Sequence, residues 1–403
     1  MYDVVLNLNE NYVPYAAVLI ASIIQNTKED SKLENKAYHF HLLMDSISQE
    51  NRDNLENLAL ELSKIYPCTL SIYILDDQLF REYSMPTLNG NYLAYYRLKI
   101  GSALPLSIKR CVYLDVDMVV LGDLRELFEV DLQGKICGVV MEGKDNDTQN
   151  ILESKNKINK SIAIVSNYFN SGMLLVDLDL WRQENIEDRA FEIVKKYYCH
   201  KHDEHILNAV LQGQTFKILP QWNMMVFLYC RAVCLNERGK INMPYNRKDF
   251  NNALKNPKIL HYHTHHKPWE DSKIYLNYCN KFLGQYWWDM VEQTPIFKEK
   301  LLPLKPQADS ALAFQCLVGY KLLRYYQKGL FILIPFYTYF LIRNKDSIEQ
   351  EEIPLKDYNL AREIGRAAFN AYHKRKKGKL ISFPFRMLHI IKNFKKNQAR
   401  ILS

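Results

Sequence analysis

Short apolar runs separated by stretches of helical periodicity fill the first half of the chain. Residues 3–8, 38–44 and 69–75 read as strands, and residues 13–26 and 48–65 as helices, the second opened by Ser48 with Asn51 three positions on. Strands alternating with helices predict an α/β layer with a parallel sheet. Residues 91–100 read as a further helix feeding Gly101 and Pro105. The run Val112-Tyr-Leu-Asp115-Val-Asp117-Met-Val-Val120 reads as a buried strand that ends by presenting two carboxylates. A short helix at 124–128, a strand at 136–141 and an exposed polar loop at 143–160 follow. A second buried strand starts at Tyr168, with Gly172 permitting close backbone approach. Helices at 180–198 and 203–212 and a strand at 256–261 complete the pattern, which changes character beyond about residue 300.

Side chains two apart in a strand share a face, so Asp115 and Asp117 can converge on one divalent cation. Carboxylate oxygens suit Mn²⁺ or Mg²⁺, ions that keep positions open for phosphate. Two solvated surface acids would give the same spacing, but here they lie between apolar runs, where paired charge is costly without a cation or other partners. His261, His263 and His265 alternate downstream, with His266 adjacent. They suit a self-contained zinc cluster, a polar strand end, or one ligand completing a mixed Asp/His site for Mn²⁺. Lys267 follows closely and can bring a cation to the same phosphates or simply be solvated at the surface.

At 403 residues with 48% hydrophobic content, the chain has material for a sizeable core and is not a disordered protein. Its net charge of +8 is unevenly placed. Residues 301–403 hold nineteen Lys and Arg against seven Asp and Glu, a balance of +12, which leaves −4 for residues 1–300. A segregated basic segment suits anionic lipid or nucleic acid. The eight cysteines are scattered, with Cys230 and Cys234 lacking the second pair of a zinc module, and read as buried free thiols. The chain opens directly on a strand-like run without a basic leader, which sets the expectation of a cytoplasmic protein.

Five motifs in order carry a family resemblance: Asn9-Glu-Asn11-Tyr12, Tyr95-Tyr-Arg97-Leu-Lys99, Tyr113-Leu-Asp115-Val-Asp117, Phe169-Asn170-Ser-Gly172-Met-Leu-Leu, and His261-Tyr followed by Lys267-Pro-Trp269. Residues 2 to about 290 resemble glycosyltransferase family 8, particularly bacterial lipopolysaccharide galactosyl- and glucosyltransferases, and more distantly glycogenin. The resemblance implies a GT-A-type αβα sandwich with a central mixed sheet over residues 1–295, followed by a basic, mainly helical extension over 296–403. It implies a retaining transferase that moves a hexose, galactose or glucose, from a UDP-sugar to a lipopolysaccharide or other surface glycan.

By position, Asp115, Asp117 and His261 match the Mn²⁺ ligands, with Mg²⁺ as the alternative ion, and Lys267 the lysine that contacts diphosphate. Tyr12 matches the aromatic stacked on uracil, and Asn9 and Asn11 the lining of base and ribose. Arg97, Asn170 and Asp203 match residues holding donor sugar and phosphate, although an ion pair, a turn and a helix N-cap respectively would also account for them. The family places glutamine and a carboxylate where this chain has Glu204 and His205. Glu204 could stabilise an oxocarbenium-like transition state, act as nucleophile, or be a tolerated substitution. The departure leaves an inactive sugar-nucleotide-binding member as one rival, and a metal-dependent hydrolase built on the histidines as another. Acceptor choice is expected in residues 143–160 and 221–248.

In the tail, fourteen apolar residues from Gly329 to Ile342 are short for a bilayer span and contain Pro335, which is expected to interrupt a helix. Met387, Ile390, Ile391 and Phe394 fall on one helical face among Arg386, Lys392 and Lys396, after the basic run 373–379. This pattern reads as an amphipathic anchor for an anionic membrane surface or as a solvated basic helix. The expected partners are therefore UDP-hexose, a glycan or lipid-linked glycan acceptor and the inner face of the plasma membrane, with no nucleic acid; nothing in the sequence fixes an oligomeric state.

Overall fold

The computed structural model describes residues 1–28, 36–88, 90–142, 151–156, 161–164, 168–226, 245–263, 267–271, 273–274, 281–305, 310–344 and 353–402. Among the described residues thirteen strands run in chain order: β1 (Tyr2–Asn7), β2 (Tyr38–Met44), β3 (Cys68–Ile74), β4 (Arg110–Leu114), β5 (Met118–Val120), β6 (Cys137–Met141), β7 (Ile151–Ser154), β8 (Ile162–Ala163), β9 (Phe169–Asp177), β10 (Tyr197–Tyr198), β11 (Thr215–Lys217), β12 (Met224–Met225) and β13 (Ile259–His261). Seven of them form the central sheet in the order β11-β6-β9-β4-β1-β2-β3. Pairings are parallel except on the two sides of β9, which runs antiparallel to β4 and β6, so the sheet is mixed as expected. Every residue of β1 is buried, which is how a strand covered on both faces reads in sequence.

Two compact units divide the chain. The first comprises Met1–Met225, Ile241–His261 and Asp289–Pro303; the second comprises Val226–Lys240, Tyr262–Trp288 and Leu304–Ser403. The units thus interleave along the sequence. Within the second, Arg362 donates to the Lys273 carbonyl at 2.8 Å and to Asp271 at 2.6 Å, joining the helix Leu355–His373 to the segment after the histidines. The helix Ser310–Gln327 meets the same helix where Gly319 and Gly365 let the backbones touch; a Cβ on either glycine would collide with a carbonyl of the other helix.

Several expected elements are redrawn. The helix expected at 180–198 is two, Leu178–Gln183 and Ile186–Lys196, because Asn185 adopts a left-handed φ of 49° that no continuous helix accommodates. The segment 91–100 forms a 3₁₀ helix, Leu93–Lys99, with one α turn after it. The loop expected at 143–160 contributes β7, paired with β8 and β10. Pro335 opens the helix Ile334–Arg343 instead of breaking one, since the missing N–H is no loss in a first turn. The face Met387, Ile391 and Phe394 is buried in the second unit's core with Phe383, Val318 and Ile364, so it is not available to a membrane.

The five cysteines among the described residues, Cys68, Cys111, Cys137, Cys199 and Cys316, are buried and free; Cys230, Cys234 and Cys279 lie outside them. Among the described residues no helix is long and apolar enough to cross a membrane.

Candidate active site

Asp115 and Asp117 are brought together by a bend rather than by strand pleating. β4 ends at Leu114 in the central sheet, and β5 begins at Met118 in a separate three-stranded sheet of order β12-β13-β5. The backbone N–H of Asp115 still donates to the Gly172 carbonyl at 2.9 Å, holding the bend against β9. β13 pairs antiparallel with β5, placing His261 opposite Met118 and hence beside Asp117. His261 Nε2 lies 3.2 Å from Asp117 Oδ1 and 3.8 Å from Asp115 Oδ2. One ligand atom from each of the three residues falls within 4.8 Å of the others.

A chain of side-chain amides fixes the imidazole's tautomer. The N–H of Gly172 can only donate, and it donates to Asn170 Oδ1 at 3.1 Å. Asn170 Oδ1 therefore also accepts from Asn223 Nδ2 at 2.9 Å, which leaves Asn223 Oδ1 as the acceptor 2.9 Å from His261 Nδ1. His261 carries a proton on Nδ1, which in the neutral imidazole leaves the Nε2 lone pair toward the two carboxylates. A cation held between them would stabilise that arrangement, and an outer hydrogen bond orienting the far ring nitrogen is what metal-binding histidines use. The floor of the cluster is Gly172. A Cβ there would run into His261 Cε1 and come within 2.7 Å of Asp115 Oδ2 and 3.0 Å of Asn170 Oδ1, so only glycine leaves the space open.

Arg97 is buried among the acids rather than pointed into open space. Nη2 donates to Asp115 Oδ1 at 2.8 Å, Nε lies 3.2 Å from Asp203 Oδ2, and Nη1 donates to the Ser171 carbonyl at 2.8 Å. Burial works against its charge, but Asp115 and Asp203 more than offset this and hold the guanidinium above its usual range. Tyr113 adds a 2.6 Å bond to Asp115 Oδ1 and a ring 4.6 Å below the guanidinium. One oxygen of Asp115 is thus committed to Arg97 and Tyr113, and the other turns toward His261.

Asp203 does not cap its helix, His202–Val210; the cap position is Lys201 and makes no side-chain bond. Its carboxylate accepts from Ser171 Oγ at 2.7 Å and faces Arg97, while burial raises its pKa against both partners. The helix begins under backbone strain at His202, φ 50°, whose ring is tied to Tyr95 OH at 2.8 Å. Glu204, one residue on, accepts from Tyr168 OH at 2.6 Å and from Asn170 Nδ2 at 3.1 Å. Desolvation, reinforced by Glu142, pushes its pKa up to about 8. Burial thus favours the neutral carboxylic acid form of Glu204. His205 turns the other way, buried and edge-on to the Tyr168 ring at 6.2 Å. Asn208 locks the helix to β9, exchanging bonds of 2.9 Å with the N–H and carbonyl of Phe169.

At the other motif, Asn9 caps the 3₁₀ turn Glu10–Tyr12, its Oδ1 accepting from the Tyr12 N–H at 3.2 Å. That bond presents Tyr12 to solvent beside Tyr15, ring centroids 5.3 Å apart, with Asn11 also exposed. Lys267 belongs to the second unit, where its carbonyl accepts from the Glu270 and Asp271 N–H groups in a turn. His265 and His266 lie outside the described residues. The residue sequence reasoning missed is Asn223. It follows a buried Trp in a short 3₁₀ turn, and nothing local marks it as the partner of a histidine 38 positions away.

A second cluster of similar composition, Asp3, His39 and His41, sits on β1 and β2. There His41 Nε2 is hydrogen-bonded to Asp3 Oδ1 at 2.9 Å, His41 Nδ1 to Tyr73 OH at 3.1 Å and His39 Nε2 to Ser71 Oγ at 2.8 Å.

The sequence profile of glycosyl transferase family 8 matches residues 3–273. The chain belongs to glycosyltransferase family 8. It is 25% identical over 272 residues to general stress protein A of Bacillus subtilis, covering 66% of this chain and 86% of that one. It is 27% identical over 283 residues to the lipopolysaccharide 1,3-galactosyltransferase of Salmonella typhimurium, covering 68% and 74%. Among solved structures it is similar to galactosyltransferase LgtC in complex with donor and acceptor sugar analogues, with a TM-score of 0.54 and 21% identity over 73% of this chain and 96% of that one. This family 8 fold is of the GT-A type, and the five ordered motifs all lie within the matched span.

Proposed function

We propose that this family 8 protein is a retaining hexosyltransferase that moves galactose or glucose from a UDP-sugar to a lipopolysaccharide or other surface-glycan acceptor, working as a peripheral protein on the inner face of the plasma membrane. The observation that carries the reading is the cluster over Gly172, in which a tautomer-fixed His261 Nε2 and the carboxylates of Asp115 and Asp117 converge. That donor set, two carboxylates and one imidazole, fits Mn²⁺, and Mg²⁺ less closely. When bound, the ion would supply Lewis-acid neutralisation of the charge that develops on the UDP diphosphate as it leaves.

The remaining work falls to the protein's own groups. Arg97 pairs with Asp115 and Asp203 at once, so we assign it to positioning the carboxylates. Tyr12 offers an exposed ring for a base to stack on, with its backbone fixed by Asn9, and Lys267 is the assigned diphosphate contact by family position. Asn170, bonded to Gly172, Asn223 and Glu204 at once, links the ligand side of the site to the sugar side.

Glu204 as a neutral acid bears on how retention is achieved. A protonated carboxyl is a poor nucleophile but donates a hydrogen bond, as the amide that the family places there does. This favours attack by the acceptor from the leaving-group face, with Glu204 steadying the reacting sugar. It also weakens the inactive reading, because a protonated Glu204 would preserve a neutral donor. The test is a panel of UDP-sugars scored for UDP release with Mn²⁺ and with chelator. Metal-dependent release from UDP-galactose or UDP-glucose is expected; UDP binding without turnover of any donor would point to the inactive member, and phosphate-ester hydrolysis without a nucleotide-sugar to the hydrolase.

A further inference from the structure

The second unit carries a large apolar surface that its own core does not use. On the helix Ile334–Arg343, Ile334, Thr338 and Leu341 are buried, while Phe336 is 65% and Phe340 47% exposed; Ile332, in the turn before it, is 89% exposed. On the helix Lys379–Leu402, Phe383, Met387 and Ile391 are buried, yet Ile381 is 76% and Phe385 70% exposed. The two runs meet where the Phe331 and Phe385 rings pack edge to face, 6.0 Å apart. Single exposed hydrophobics are ordinary, but a joined set of large ones marks a surface built for an apolar partner.

The two stretches that form this surface carry charge of one sign. Residues 310–344 and 374–402 contain fourteen Lys and Arg and no Asp or Glu; all seven acids of the tail lie elsewhere. Lys374, Arg375, Lys376, Lys377 and Lys379 are exposed immediately before Ile381, and Arg386 is exposed immediately after Phe385. Apolar side chains neighboured by cations, with no carboxylate in either stretch, complement a layer whose outer zone is anionic and whose inner zone is hydrocarbon. A protein partner would ordinarily be met with mixed charge and some acceptors on the rim.

We propose that the face formed by Ile332, Phe336, Phe340, Ile381 and Phe385 lies in the headgroup zone of an anionic bilayer, with the basic turn at Lys374–Lys379 on lipid phosphates. This deepens the membrane part of the proposed function and replaces the face that the helical pattern alone had indicated, since Met387, Ile391 and Phe394 hold the unit together. It does not depend on the transferase chemistry.

The experiment is flotation of the full chain with vesicles of phosphatidylcholine alone and of phosphatidylcholine with phosphatidylglycerol. Binding is expected only to the anionic vesicles and should weaken as salt rises. Phe336→Ser with Phe385→Ser should reduce it by roughly tenfold or more from lost apolar insertion, with an unchanged melting temperature and unchanged UDP release. Replacing Arg375, Lys376 and Lys377 by Gln should weaken binding and flatten its salt dependence. Equal binding to neutral vesicles, or full binding by both variants, would overturn the proposal. So would a wild-type protein that ignores vesicles but is dimeric, with the Phe variant monomeric, because the face would then be an interface between copies. Loss of flotation with UDP release intact separates this proposal from the transferase reading.

Discussion

Two histidine–carboxylate clusters of nearly the same composition lie in the first unit, and their surroundings make them different objects. At Asp3, His39 and His41 the histidine proton lies between partners: His41 bonds directly to Asp3, and hydroxyls of Ser71 and Tyr73 engage the other ring nitrogens. At Asp115, Asp117 and His261 the amide relay through Asn170 and Asn223 puts the ring proton on the far nitrogen, and a glycine floor keeps the near side open. The first is a closed hydrogen-bond network within a sheet. The second, with a neutral imidazole, turns lone pairs toward lone pairs, an arrangement that suits a cation. Residue type and proximity are shared, so what separates a site from a staple is where the protons are.

The comparison is broken most forcefully by parallel substitutions. Asp117→Asn should lower transfer by about a hundredfold or more, since metal-assisted leaving-group stabilisation is worth several kcal/mol. Asp3→Asn should leave kcat and its Mn²⁺ dependence unchanged and cost about 1–3 kcal/mol of stability in a denaturant titration. Metal-dependent loss of activity in Asp3→Asn would erase the distinction. Next in size, Asn223→Ala touches neither substrate nor ion in this account. It should weaken Mn²⁺ affinity by roughly 10- to 100-fold by releasing the His261 tautomer, with activity recovering at high Mn²⁺; an unchanged affinity would remove the relay from the argument.

The smallest effect concerns Glu204. Its pKa in the fold is about 8, above the ordinary carboxylate value, so the native state holds a proton that the unfolded chain releases. Its contribution to stability therefore declines as pH rises from the ordinary range toward 8, and activity that needs the neutral acid should decline as pH passes through 8. Glu204→Gln should retain most transfer and lose that alkaline decline. A variant that is inactive at every pH would restore the nucleophile reading.

Much of this fold was legible because its strands are short and covered: β1, β2 and β4 read as apolar runs, and Ser48 marked its helix start through the bond it accepts from Asn51. The motif residues Asp115, Asp117 and His261 do converge, although by a bend between two sheets and not by strand alternation. What escaped depends on contacts distant in sequence or on backbone choices with no periodic signature. Asn185 breaks a helix by taking a left-handed φ, and Asn223 is brought to His261 only when β12 and β13 pair. The amphipathic face of the last helix was visible, but periodicity cannot tell a lipid from Val318 and Ile364 as the thing that covers it.

The two clusters differ in one countable property: the first offers a metal two imidazoles, the second one. Pulsed electron paramagnetic resonance on the protein loaded with Mn²⁺ and UDP counts the nitrogens bonded to the ion. A single imidazole coupling, from His261, is the predicted result; two couplings, or none, would contradict the assignment of the metal to Asp115, Asp117 and His261.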